Sequence, residues 1–163
     1  MDVLFVCTGN VFRSMTAEKC MNHYIKKNGI KNIRADSAGT KTSPQYPQPA
    51  TIERLGFYGI NFEHRYKKLT QELLDRSDVV IAMNIDHRDF IIKNFKVKPY
   101  LFNELAYGKK EGVLDFHEFH TNIKELANQE EIIKEYAYYV VDYIHSSIPR
   151  LVERLESIEF PKI

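Results

Sequence analysis

Val3-Leu4-Phe5-Val6-Cys7-Thr8-Gly9-Asn10-Val11-Phe12-Arg13-Ser14 is the stretch from which the fold of this chain can be read. Val3–Val6 is continuously apolar and does not alternate, the mark of a strand buried on both faces of a parallel sheet. From Ser14 onward Ala17, Cys20, Met21, Tyr24 and Ile25 recur at helical spacing, and Gly29 ends the segment. Residues 7–14 therefore make a strand-to-helix turn. A glycine-containing turn of this kind can curl around one tetrahedral oxyanion, with its backbone N–H groups pointing inward. Arg13 offers a planar fork suited to two oxygens of a phosphate. Beneath the phosphorus, Cys7 would lie in line as a nucleophile.

The rest of the chain alternates in the same way. Ile33–Ser37 reads as a second strand, and Gly39–Pro49 as a loop with three prolines around Tyr46. A helix is expected over about Ala50–Leu55, and Thr70 can cap a short one ending near Arg76. Asp78–Met83 is a third buried strand, Asp86–Phe95 a helix, and Tyr100–Phe102 a fourth strand. The last third is helical, with Tyr136, Val140, Tyr143, Ile144, Ile148, Leu151, Val152 and Leu155 on one stripe, and Pro149 is expected to kink or break it. Strand–helix alternation implies an α/β domain whose ligand site lies beyond the carboxyl ends of parallel strands. The loop at 7–14 sits at such an end.

Composition narrows the possibilities without choosing among them. With 163 residues, 44% hydrophobic and 28% charged, the chain is expected to be one globular domain spanning residues 1–163. A net charge of +1 gives no global argument for nucleic acid or an anionic membrane, so a phosphate site must depend on local donors. Val3–Val6 is too short for a signal peptide or a membrane span. Two cysteines, Cys7 and Cys20, do not make a secreted disulfide scaffold. A reducing cytoplasm is the expected compartment, and a monomer the default state.

Alone, a cysteine after a strand is more often a small buried hydrophobe than a nucleophile. Here Cys7 would face backbone donors, a helix N-terminus and Arg13, surroundings that favour a thiolate. Ser14 can cap the helix and also donate to the sulfur. An arginine is unfavourable at the positive end of a helix, a conflict that a bound anion removes. Asn10 can take a left-handed backbone and hydrogen-bond across the loop.

The Cys7–Ser14 segment so near the N-terminus resembles the low-molecular-weight protein tyrosine phosphatases. Asp36-Ser37-Ala38-Gly39-Thr40 resembles the family's second-strand segment, and Glu63-His64-Arg65 with Leu69-Thr70 the approach to its third strand. Ile81-Ala82-Met83-Asn84 is similar to that strand's end, where the family usually has aspartate after the methionine. The resemblance runs in order to about residue 115. It implies a four-stranded parallel sheet flanked by helices on both faces, flavodoxin-like, with hydrolysis of phosphotyrosine monoesters through a phosphocysteine and no metal or cofactor.

Carried onto this sequence, Cys7 matches the nucleophile, Arg13 the phosphate-binding arginine, and Thr8, Gly9, Asn10, Val11, Phe12, Arg13 and Ser14 the phosphate-binding loop. Asn10, Ser14, Ser37 and His64 match the hydrogen-bond network that holds this loop. Left to themselves, Ser37 would be a strand-end hydroxyl and His64 a surface histidine. The general acid falls on Asp115 in Val113-Leu114-Asp115-Phe116, although Phe116 replaces the usual proline; Glu118 is the nearest substitute. The run Asp115–His120 lacks the spacing of a metal motif.

Departures from the family pattern refine the expectation. Phe12 stands where many relatives carry a second loop cysteine, so Cys7 lacks that redox partner, while Cys20 is expected in the core. The absence of cysteines after Cys20 speaks against arsenate reduction. Relatives acting on phosphoarginine carry threonine at the place of Val11, which favours a phosphate ester such as a phosphotyrosyl protein or peptide. Phe12, Tyr46 and His117 are expected at the substrate rim, with Tyr46 equally able to pack on its own loop. The Tyr136–Tyr143 segment is expected in the core and on the helix surface. Two other readings remain: a catalytically weak phosphoanion-binding module, or a phosphatase of small phosphorylated molecules.

Overall fold

The apolar run after the first residue forms β1 (Asp2–Cys7), and it lies at the centre of the sheet. The computed structural model describes residues 1–41, 46–113, 128–158 and 160. The chain continues through α1 (Arg13–Lys27), β2 (Arg34–Gly39), α2 (Pro49–Phe57), α3 (Gln71–Asp75), β3 (Val79–Ala82) and α4 (Ile85–Phe95). It ends with β4 (Tyr100–Leu101), α5 (Phe102–Tyr107) and the long α6 (Gln129–Ser157). All strand pairs are parallel, in the order β2-β1-β3-β4.

Strand periodicity divides the core into two layers. Val3, Phe5, Val79 and Ile81 face one side, where α1, α2, α5 and α6 pack with Met21, Leu55, Leu105, Val140, Ile144 and Leu151. Leu4, Val6, Val80 and Ala82 face the other, covered by Leu74 of α3 and Ile91 of α4. Helices thus flank both faces. Because each central strand is buried on both sides, its sequence shows no alternation.

Local signals account for several boundaries. Thr70 Oγ1 accepts from the Leu73 amide and caps α3. Asn84 caps α4, accepting from the Ile85 amide at 2.7 Å. Two expectations need correction. Phe102 opens a short helix that the sequence reading assigned to the fourth strand; the Glu104 carboxylate accepts from the Leu101 amide at 3.2 Å and fixes its start. Nor does Pro149 break the last helix, which runs through it. The ring lies on the exposed face, where water can serve the carbonyl that loses its amide partner. Buried Ile144, Ile148, Leu151 and Val152 on the opposite face hold the two halves in register.

Candidate active site

Cys7 ends β1 and Arg13 begins α1, so the five residues between them bridge the carboxyl end of the central strand and the start of a helix. That helix has no side-chain cap and no acidic residue in its first turn. Its leading amides and positive dipole end face the loop. Cys7 is buried, and its sulfur lies 2.9 Å from Ser14 Oγ.

Asn10 organises the loop. It is buried with φ of 55°, a left-handed conformation that asparagine tolerates better than most residues. Its amide nitrogen donates to Ser37 Oγ at 2.7 Å and to Ser14 Oγ at 3.3 Å. Its side-chain oxygen accepts from the Lys67 amide at 2.8 Å. His64 Nε2 lies 2.5 Å from the Asn10 carbonyl; because a carbonyl only accepts, the hydrogen is on Nε2. Burial pulls the His64 imidazole below the ordinary value of 6.5, and its bond to Asn10 opposes the shift. With Asn10 donating into Ser14 Oγ, the hydroxyl hydrogen is left for the Cys7 sulfur at 2.9 Å or the Ala38 carbonyl at 3.5 Å.

The structure thus brings Cys7, Asn10, Ser14, Ser37 and His64 together. It also brings in residues the sequence reading missed. Glu18, only 6% exposed, accepts from Ser37 Oγ at 2.5 Å, so the Ser37 hydroxyl accepts from Asn10 and donates its own hydrogen bond to a carboxylate. The signal was present, since Ser14 and Glu18 are four apart on one helix face. Gly39 abuts the loop: a Cβ there would lie 2.9 Å from the Thr8 carbonyl oxygen and 3.1 Å from Asn10 N. Only long-range pairing of β2 with β1 reveals that requirement. On the other flank Thr8 Oγ1 lies 2.8 Å from Nε2 of the buried His87.

A cavity of about 380 Å³ opens above this loop. Cys7, Thr8, Gly9, Val11, Phe12 and Arg13 line its floor, with Tyr46, Gln48, Ile133, Tyr136 and Ala137 around them. Tyr46 is 86% exposed at its edge. Tyr136 was expected only in the core and on the helix surface; it is buried, yet it also lines the cavity, its ring 5.5 Å from that of Phe12. Asp115, His117 and Glu118, and the run Asp115–His120 weighed as a metal motif, lie outside the described residues. Cys20 lies on the buried face of α1, in the core, and burial pushes its thiol up.

A thiol at a strand end, 2.9 Å from a hydroxyl, before an uncapped helix N-terminus and with an arginine lining the same cavity, is an arrangement for a tetrahedral oxyanion. Comparison with known proteins agrees with this chemistry. The sequence matches the low molecular weight phosphotyrosine protein phosphatases over residues 2–156. A protein-arginine-phosphatase of Bacillus subtilis (strain 168) is 34% identical over 119 residues, covering 71% of this chain and 79% of the relative. A low molecular weight protein-tyrosine-phosphatase, PtpA, of Staphylococcus aureus (strain bovine RF122 / ET3-1) is 34% identical over 116 residues, covering 68% and 73%. Among solved structures, a mutant of the YwlE arginine phosphatase with a phosphorylated active-site serine superposes with a TM-score of 0.81. It is 27% identical, with 96% of this chain and 97% of that chain covered. The chain belongs to the low-molecular-weight phosphotyrosine protein phosphatase family, whose members are cysteine-dependent phosphatases.

Proposed function

We propose that this chain hydrolyses phosphotyrosine monoesters through a phosphocysteine on Cys7. The observation that carries the reading is the Cys7 sulfur held 2.9 Å from Ser14 Oγ, at the floor of a cavity that Arg13 also lines. The thiolate attacks phosphorus in line, so an S–P bond forms as the P–O bond to the tyrosyl oxygen breaks. Arg13 and the amides of residues 8–14 take up charge on the three equatorial oxygens. Asp115, with Glu118 as its substitute, gives a proton to the departing oxygen. Water then attacks phosphorus and passes its proton to the Asp115 carboxylate. The S–P bond breaks, and the Ser14 hydroxyl stabilises the returning thiolate. Asn10, Ser37 and His64 hold the loop in position throughout. The scheme needs no metal or organic cofactor.

The aromatic wall of Phe12 and Tyr136 suits a phenyl ring, with Tyr46 and His117 assigned to the rim. The name of the Staphylococcus aureus relative supports the same substrate, and that of the Bacillus subtilis relative supports phosphoarginine as the second reading. We further infer one domain acting as a monomer on phosphoproteins in the cytoplasm, without nucleic-acid or membrane partners. No described helix is long and apolar enough to cross a membrane.

Cys7→Ser is expected to abolish hydrolysis of para-nitrophenyl phosphate while phosphate still binds; undiminished hydrolysis overturns the proposal. Trapping phosphocysteine on Cys7 separates an enzyme from a binding module. A kcat/KM on phosphotyrosyl peptides above that on phosphoarginyl peptides and sugar phosphates supports the substrate assignment, and the reverse order overturns it.

A further inference from the structure

The strand order places a topological switch point between β1 and β3, because α1 leaves β1 onto one face of the sheet and α4 leaves β3 onto the other. Thr8, the first residue after β1, and His87, in the first turn of α4, meet across that crevice at 2.8 Å. His87 is 2% exposed. The Thr8 backbone is held separately from the β2 side, where its carbonyl accepts from the Lys41 amide at 3.0 Å and packs on Gly39. The backbone therefore stays seated without the imidazole. What the imidazole decides is the direction of the Thr8 hydroxyl.

The Asp86 carboxylate lies 3.7 Å from the same His87 nitrogen, and its negative charge favours the tautomer with hydrogen on Nε2. Nε2–H then donates to Thr8 Oγ1, leaving the hydroxyl hydrogen of Thr8 for a different acceptor. Thr8 is the one aliphatic hydroxyl among the described residues that line the cavity above Cys7 and Arg13. Ser14, by contrast, is buried beneath the loop and committed to Cys7, Asn10 and Ala38.

We propose that His87 is a positioning residue that turns the Thr8 hydroxyl into an additional hydrogen-bond donor for the bound phosphoryl group. The loop is thereby clamped by two imidazoles, with His64 holding the Asn10 carbonyl on one flank and His87 aiming Thr8 on the other. This inference rests on the phosphate-binding reading of the same loop.

The test is titration with inorganic phosphate and orthovanadate, alongside kcat and KM for para-nitrophenyl phosphate. Thr8→Val keeps the shape and is expected to weaken phosphate binding about tenfold, the loss of one hydrogen bond to a charged group. Thr8→Ser is expected to recover most of that loss. His87→Phe should match Thr8→Val, the double variant should be no worse than either, and His87→Gln, whose amide nitrogen reaches the place of Nε2, should recover part. Losses that multiply in the double variant, or a Thr8→Val that binds phosphate like the wild type, overturn the inference. Should His87→Phe fail to fold, His87→Gln decides instead, because its loss of phosphate affinity should vanish in the Thr8→Val background, and a loss that persists there overturns the inference. A wild-type protein that neither binds phosphate nor hydrolyses the ester removes the reading of the loop and this inference with it. Normal wild-type binding with an unaffected Thr8→Val removes only the inference.

Discussion

At the scale of single residues, the loop depends on Asn10. Its side chain serves Ser14, Ser37 and the Lys67 amide, and its backbone holds a left-handed conformation. Asn10→Ala strands these buried partners and should cost about 2–3 kcal/mol of stability, measured by urea denaturation, together with most of the turnover. A variant as stable as the wild type would show that the network is redundant. Asp115 is tested differently. Asp115→Ala should depress turnover strongly on an alkyl phosphate and less on an activated aryl phosphate, because a poor leaving group needs the proton more. Equal losses on both count against its acid role.

At the scale of elements, β2 approaches the loop more closely than a side chain allows. Gly39→Ala would drive a Cβ against backbone atoms of Thr8 and Asn10, which cannot yield as a flexible side chain can. We expect a loss of about 1–3 kcal/mol, with phosphate affinity falling alongside the melting temperature. The long helix offers the opposite prediction. Because α6 continues through the exposed Pro149, Pro149→Ala restores an amide donor and removes a ring clash. Stabilisation of about 1–2 kcal/mol is expected, against a helix-interior penalty for proline of about 3 kcal/mol. A thermal melt checks it, and unchanged or lowered stability would mean that the helix has adapted to the ring.

For the whole molecule, acid sensitivity follows from two histidines. Burial lowers both His64 and His145; the nearby His23 also lowers the latter. A histidine harder to protonate when folded leaves the unfolded chain binding more protons as pH falls below its ordinary value of about 6.5. These two groups therefore contribute full stability above that pH and lose it on acidification. The melting temperature should drop between pH 7.5 and 5.5, and the double variant His64→Gln/His145→Gln should show a shallower slope. An unchanged slope would place the pH dependence elsewhere. Cys20, enclosed in the core on the buried face of α1, is a poor partner for oxidised Cys7. Cys20→Ala should leave the rate of peroxide inactivation unchanged.

What the sequence determined by itself was local in origin. An unalternating apolar strand, a helix of regular spacing, and the turn at residues 7–14 between them name the α/β class and the candidate phosphate loop, since strand burial and loop chemistry are written in adjacent residues. Resemblance then pointed to Ser37 and His64, which no spacing rule connects to Cys7. Tertiary structure alone decided the close packing of Gly39 on Thr8, Tyr136 beside Phe12 and His87 across the switch point, and it set Ser37 against the Glu18 carboxylate that helical spacing had placed on the face of Ser14. Each of these arises where strands or helices distant in sequence are brought together by pairing and by burial of two apolar faces. Contacts between such distant segments leave no periodic trace in either one.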